Sequence, residues 1–177
     1  MITTSAETMG RLIDDLLAFS RLGSQALARS SVNMAELIGD AWQELVTLHP
    51  DREMALKIGQ TPAPWGDGAL LRQVYSNLLG NAVKFTQGRN PAVIEAGSCV
   101  QDNETVYYIR DNGIGFDIKF YDKLFGVFQR LHSEEEYRGT GIGLALIKRI
   151  INRHGGRVWA EGEVDMGATF YFTLPTP

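Results

Sequence analysis

The sequence predicts an α/β sandwich of the α+β type: a mixed sheet with helices packed on one face, preceded by one long helix. Three observations lead there. Strand and helix periodicities alternate irregularly along the chain. Adjacent strand patterns come in hairpins, with Gln101-Asp102-Asn103-Glu104 as a turn between two of them. In the last strand pattern Phe170, Phe172 and Leu174 point one way, as they do in a sheet with one covered face.

Residues 5–28 read as one helix. Met9, Leu12, Ile13, Leu16, Leu17 and Phe19 recur at three-and-four spacing, and Leu22 before Gly23 marks a place to fray or bend. So apolar a stripe wants a partner, either in a helical bundle or in the core of the same domain. The chain divides at Ala28-Arg29-Ser30-Ser31, so residues 1–30 form one unit and residues 31–177 another. In the second unit Val32 opens a short strand. Residues 34–48 form a helix with Leu37, Ile38, Ala41, Trp42, Leu45 and Val46 inward.

Residues 53–58 alternate as a strand, with Met54, Leu56 and Ile58 on one face. Pro62, Pro64 and Gly66 punctuate a loop. Residues 70–86 form a helix capped near Asp67. Residues 92–100 and 105–110 are strands, followed by a mostly irregular stretch to about Gly139. Residues 144–154 are helical and stop at Gly155-Gly156. Residues 157–161 and 169–174 are the last strands. There is no internal repeat.

The 177 residues suffice for one ordinary domain and a small appendage, and 44% hydrophobic with 21% charged residues is a globular composition. A net charge of −4 argues against a general nucleic-acid or anionic-membrane surface. Apolar runs are far shorter than the ~20 residues that span a bilayer. Met1-Ile2-Thr3-Thr4-Ser5 has neither the basic nor the apolar region of a signal peptide, so a cytoplasmic location is expected. The single cysteine, Cys99, lies in a strand pattern and reads as a buried, inert thiol, suited to a reducing compartment.

Four pieces carry chemistry. On the helix over 70–86, Asn77, Asn81 and Lys84 lie four and three apart and share a side distinct from the apolar one. Two amides and an ammonium suit a phosphate chain with a bound cation, an Asn oxygen being a hard ligand for Mg²⁺. Taken alone, the stripe is more simply a solvated polar face. Asp111-Asn112-Gly113-Ile114-Gly115-Phe116 follows a strand directly. Its aspartate can accept from an exocyclic amine while glycines admit a ring, or it can merely cap a turn. Gly139-Thr140-Gly141-Ile142-Gly143-Leu144 opens a helix, leaving backbone N–H groups and the helix dipole to face an anion. It lacks the Gly-Lys-Ser/Thr of a P-loop. Gly167-Ala168-Thr169-Phe170, by itself, is a hairpin exit.

The order of these pieces resembles the histidine-kinase branch of the GHKL superfamily. Asn77-Leu78-Leu79-Gly80-Asn81-Ala82-Val83-Lys84-Phe85 looks like its N box, residues 111–115 its G1 box and Phe125-Gly126-Val127-Phe128 its F box. Residues 139–144 look like its G2 box, and residues 167–170 its last glycine box. Leu16-Leu17-Ala18-Phe19-Ser20-Arg21-Leu22 resembles the second helix of the family's dimerisation hairpin, so the resemblance covers nearly the whole chain. Residues 123–133 are most similar to bacteriophytochrome-type and related soluble-sensor kinases. Many members carry a proline between the two F-box phenylalanines; here Gly126-Val127 stands there.

The resemblance implies an ATP-binding catalytic domain that uses ATP and Mg²⁺. Asn81 would hold Mg²⁺, Asn77 and Lys84 would contact phosphates, and Phe85 would lie against adenine. Asp111 would take the adenine amine, with Gly113 and Gly115 giving room and Thr169 helping through a water. Gly139, Thr140, Gly141 and Gly143 would form the lid hinge and phosphate-facing turn, and Leu144 would close on the ring. Residues 116–138 would be a mobile lid, with Arg130 and Arg138 toward the γ-phosphate or simply in surface salt bridges.

Superfamily ATPases place a glutamate one turn before the Mg²⁺ asparagine; Asn77 stands there and cannot take a proton from water. A histidine on the dimerisation domain is the implied acceptor, and an aspartate of a response-regulator receiver domain its successor. His49, His132 and His154 lie outside the acceptor pattern, and the first dimerisation helix is missing, so the chain is expected not to phosphorylate itself. The implied full-length protein is a homodimer that could be membrane-anchored, while no nucleic-acid or membrane contact is expected of this piece.

Overall fold

A computed structural model describes Gly10, residues 26–129, Tyr137 and residues 139–175. The helix expected over 5–28, Arg130, His132 and Arg138 therefore lie outside the described residues, Gly10 and the last three residues of that helix apart.

The described elements run β1 (Arg29–Ser31), α1 (Met34–Leu48), β2 (Met54–Ile58), β3 (Trp65–Asp67), α2 (Gly68–Phe85), β4 (Ala92–Gln101) and β5 (Glu104–Asp111). A single 3₁₀ turn (Ile118–Phe120), α3 (Tyr121–Leu124), α4 (Gly143–His154), β6 (Val158–Glu163) and β7 (Gly167–Thr173) follow. Among the described residues the main sheet has five strands in the order β2-β4-β5-β7-β6. β2 runs parallel to β4 and the other neighbours are antiparallel. The parallel pair needs a crossover, which β3 and α2 supply. The expected mixed sheet with helices on one face is thus the observed architecture.

Local chemistry accounts for the helix ends. Asn33 caps α1, its Oδ1 accepting from Glu36 N at 3.3 Å, and the helix stops ahead of Pro50. Asp67 caps α2 by accepting from Leu70 N at 3.3 Å. Gly155 ends α4 in the left-handed region, φ 86°, where a side chain would be strained.

Leu71, Val74, Tyr75, Leu78, Leu79, Ala82 and Val83 make a broad buried face on α2, which packs between α1 and α4. Against the helices the sheet turns Ile94 and Ala96 of β4, Tyr107 and Ile109 of β5, and Phe170 and Phe172 of β7. Phe172 stacks on Tyr107, centroids 5.3 Å apart, and meets the edge of Tyr75 at 5.8 Å. On the opposite face Tyr108, Tyr171 and Trp159 form a half-exposed aromatic row, joined to Glu95 and Glu161 through the tyrosine hydroxyls.

Several sequence expectations need correction. The strand expected at Val32 lies just before it: β1 pairs with β3, part of the stretch expected to be a loop. That pairing is long-range, so local periodicity does not announce it; Val32 itself is buried, its N–H on Pro64 O at 3.0 Å. The stretch before Gly139 is less irregular than expected, because Asp117 caps the 3₁₀ turn and Leu124 buries itself from α3. Cys99 is exposed, not buried: β4 outruns the helix layer at its far end.

Candidate functional site

α2 carries two stripes. Its apolar side fills the core; Asn77, Asn81, Lys84 and Phe85 are half-buried along another. Asn77 Nδ2 donates to Gln73 O at 2.9 Å, which orients the amide and leaves Oδ1 facing α4. A Cβ at Gly143 would lie 2.7 Å from that oxygen, so any larger first residue of α4 would push the Asn77 amide aside. Lys84 Nζ lies 4.2 Å from the Phe85 ring centroid, and a Cβ at Gly139 would come 3.1 Å from the same nitrogen. Phe85 also meets Tyr137, centroids 5.2 Å apart. The structure therefore brings Asn77, Lys84 and Phe85 together with Gly139 and Gly143. Gly141 (φ 72°) carries the carbonyl that accepts from Phe128 N at 3.0 Å, which holds Phe128 beside the turn that opens α4. Thr140 is half-buried in the same turn, and Leu144 packs against the core rather than standing clear of it.

At the end of β5, Asp111 is 6% exposed. Burial pushes its carboxyl up from the ordinary 3.8 to about 6, against the backbone N–H groups of Gly113 and Ala168, which favour the charged form. The Gly113 N–H donates to Oδ1 at 2.8 Å. The loop that follows wraps onto the C-terminal end of α2, where Ile114 N donates to Phe85 O at 3.2 Å. At Gly115, φ is 62° and a Cβ would collide with Glu163 O, so only glycine passes beneath the β6–β7 turn.

Thr169 does not join Asp111. The β5–β7 register sets Asp111 opposite Ala168 on the helix side and Arg110 opposite Thr169 on the other. Thr169 Oγ1 accepts from Arg110 Nε at 3.3 Å. Its expected assistance to Asp111 is a reading the strand's two-residue period overturns.

Sequence reasoning missed Arg89. Its Nε donates to Asn112 O at 2.9 Å, and its NH2 to Gly113 O at 3.1 Å and Asp165 O at 2.8 Å. One guanidinium thus holds the loop beside Asp111 to the β6–β7 turn. All three acceptors are carbonyls, which every residue has, so no motif signals them. Among the described residues no group of three or more His, Cys, Asp or Glu could hold a metal ion, and no helix is long and apolar enough to cross a membrane.

The family model described as histidine kinase-, DNA gyrase B-, and HSP90-like ATPase matches residues 66–177, and the chain belongs to that family. Relatives it resembles include phytochromes and histidine kinases. It is 36% identical over 172 residues to phytochrome-like protein Cph1 of Synechocystis sp., covering 97% of this chain and 23% of that protein. To methanogenesis regulatory histidine kinase FilI of Methanothrix harundinacea it is 34% identical over 178 residues, 100% of this chain and 20% of that one. The chain thus spans about a quarter or less of the length of these relatives. The solved structure of full-length ShkA in complex with AMPPNP superposes with a TM-score of 0.78 at 27% identity, over 97% of this chain and 36% of that one. Acinetobacter baumannii histidine kinase AdeS, at 18% identity and TM-score 0.78 over 98% of this chain and 81% of that one, shares the fold.

Proposed function

We propose that the chain is the ATP-binding catalytic domain of a two-component sensor histidine kinase. In this reading it binds Mg·ATP and presents the γ-phosphoryl group to a histidine on a dimerisation domain, for relay to an aspartate of a response-regulator receiver domain. The observation that carries it is the convergence on one end of the sandwich: buried Asp111 at one side of Phe85, and Asn77, Lys84 and the Gly139–Gly143 turn at the other. A purine amine and a polyphosphate need an acceptor and a cationic, N–H-rich surface separated in that way.

In this reading Asp111 accepts from the adenine amine and Phe85 packs on the ring. Lys84 and the turn opening α4 take the phosphates. Asn81, half-buried on the polar stripe of α2, would be the protein ligand for Mg²⁺, its amide oxygen being a neutral hard donor of the kind that ion takes. When bound, Mg²⁺ neutralises charge on the β- and γ-phosphates. Asn77 is the strongest support for transfer over hydrolysis: a neutral amide is far too weak a base to take a proton from water. The γ-phosphoryl then waits for an imidazole nitrogen, which forms the N–P bond as the bond to ADP breaks and the ring loses its proton.

Calorimetric titration with AMPPNP, with and without Mg²⁺, tests the reading. The parent is expected to bind more tightly with Mg²⁺, and Asp111→Asn to lose at least about tenfold, or ~1.4 kcal/mol. Equal binding by the folded variant overturns the assignment of Asp111; no binding by the parent overturns the whole reading.

A further inference from the structure

His154, the last residue of α4, is 1% exposed, and nothing in the proposed site uses it. Its ring is held at both nitrogens. Nδ1 lies 2.8 Å from Ile150 O, and a carbonyl only accepts, so Nδ1 carries the proton. Nε2 lies 3.0 Å from Asp67 N, and an amide only donates, so Nε2 is bare. Only the neutral Nδ1–H tautomer satisfies both; a proton on Nε2 would set two donors face to face.

Asp67 is equally committed. Its Oδ1 caps α2 at Leu70 N, and its Oδ2 accepts from Ala28 N at 3.0 Å, where the chain enters the domain. Gly66 makes room for the ring: a Cβ there would come within 3.3 Å of His154 Cδ2 and 2.8 Å of Leu71 Cδ1. α4 packs along α2, and at its two ends it meets that helix through His154 on the α2 cap and Gly143 on Asn77.

We infer that His154 is a positioning residue whose neutral ring ties the end of α4 to the cap of α2, sets how the Gly143 end of α4 meets Asn77, and releases that setting when Nε2 is protonated. The inference rests on the nucleotide reading of the Asn77–Gly143 contact. The charged groups around the ring are Arg29 of β1, whose guanidinium donates to His154 O at 3.5 Å, Arg153 of α4, and Asp67 at the β3–α2 junction. Burial holds the imidazole below its ordinary range, with both arginines adding to that and the Ile150 bond and Asp67 opposing it. The tie is therefore complete at neutral pH and lost as pH falls through a value below 6.5.

By reciprocity, a ligand that needs the tie must hold the ring neutral. The test is a ¹⁵N-histidine NMR titration of the full chain, with and without Mg·AMPPNP, at pH 4.5 to 8 by choice of buffer. The expected result is an Nδ1–H ring above its midpoint and a midpoint that nucleotide moves down by about one pH unit, matching a roughly tenfold affinity ratio between the two ring states. The negative charge of the triphosphate alone would move it up. An unmoved or raised midpoint with nucleotide bound overturns the tie and leaves the site standing. Failure of AMPPNP to bind at all removes both. As a second arm, His154→Gln, which can still place an acceptor on Asp67 N, should keep AMPPNP affinity within about twofold, while His154→Asn, which cannot reach it, should lose about tenfold. Parent-like binding by a folded His154→Asn overturns the inference.

Discussion

Asp111 shows how a single side chain can work against the fold that holds it. Its folded carboxyl titrates near 6 and an unfolded one at 3.8, because burial disfavours the charge. Since the folded value is the higher, the stability this group contributes is complete below about pH 3.8 and is lost as pH rises through about 6. Above that the buried charge costs on the order of 3 kcal/mol, at ~1.4 kcal/mol per pH unit. Asparagine keeps an oxygen for Gly113 N–H without the charge. Asp111→Asn is therefore expected to unfold at higher urea than the parent at pH 7.5, by about 1–3 kcal/mol, and to lose that advantage at pH 4. Urea melts at the two pH values check this; a variant less stable at pH 7.5 would show that the carboxylate is better satisfied than its burial suggests.

At the scale of elements, the loop after β5 is held more than it holds. Arg89 bonds three carbonyls from two segments, and each would be left short of a partner by truncation. Arg89→Ala is expected to lower stability by about 1–3 kcal/mol and to weaken AMPPNP binding by roughly tenfold. Arg89→Lys should rescue little, because one ammonium cannot span the fork. Chemical melts and titration of both variants give the answer; full rescue by lysine would mean that charge, not geometry, matters.

The same contrast explains what the sequence made legible among the elements. α2 was readable because one helix carries an apolar stripe, a capping aspartate and a polar stripe, all local patterns. β1 and β3 were not, since three residues each say little until they pair across 34 or more positions of chain. Thr169 was misplaced because a motif names residues without their parity, and its hydroxyl falls on the far face from Asp111.

Across the whole molecule, the proposed site is assembled from α2, the end of β5 and the start of α4, segments that meet only in the folded state. A nucleotide bound there is linked to global stability. With AMPPNP at a hundred times its Kd, the domain should gain about 2.7 kcal/mol. For a chain of this size that is a rise in Tm of roughly 5–10 °C, readable by scanning calorimetry. An unchanged Tm under saturating nucleotide would place the ligand on a segment that melts separately.

The order of pieces along the chain made the family legible, but the joint between Asp67 and His154 was not. Its bonds run through a backbone N–H and a ring nitrogen 87 positions apart. Nothing local to the histidine at that helix end announces the bond; it is the ring's second nitrogen that makes it a link between helices.

The hydrogen bond from Phe128 N to Gly141 O has a consequence for how such chains diverge. It joins two positions well separated along the chain, and the entropy of such a closure grows only with the logarithm of the number of residues enclosed. Doubling the number of residues between those ends adds only about 0.6 kcal/mol. Added length between those ends is therefore cheap in chain entropy. Relatives can differ in length between Phe128 and Gly141 at little entropic cost so long as the bond that joins those two positions is kept.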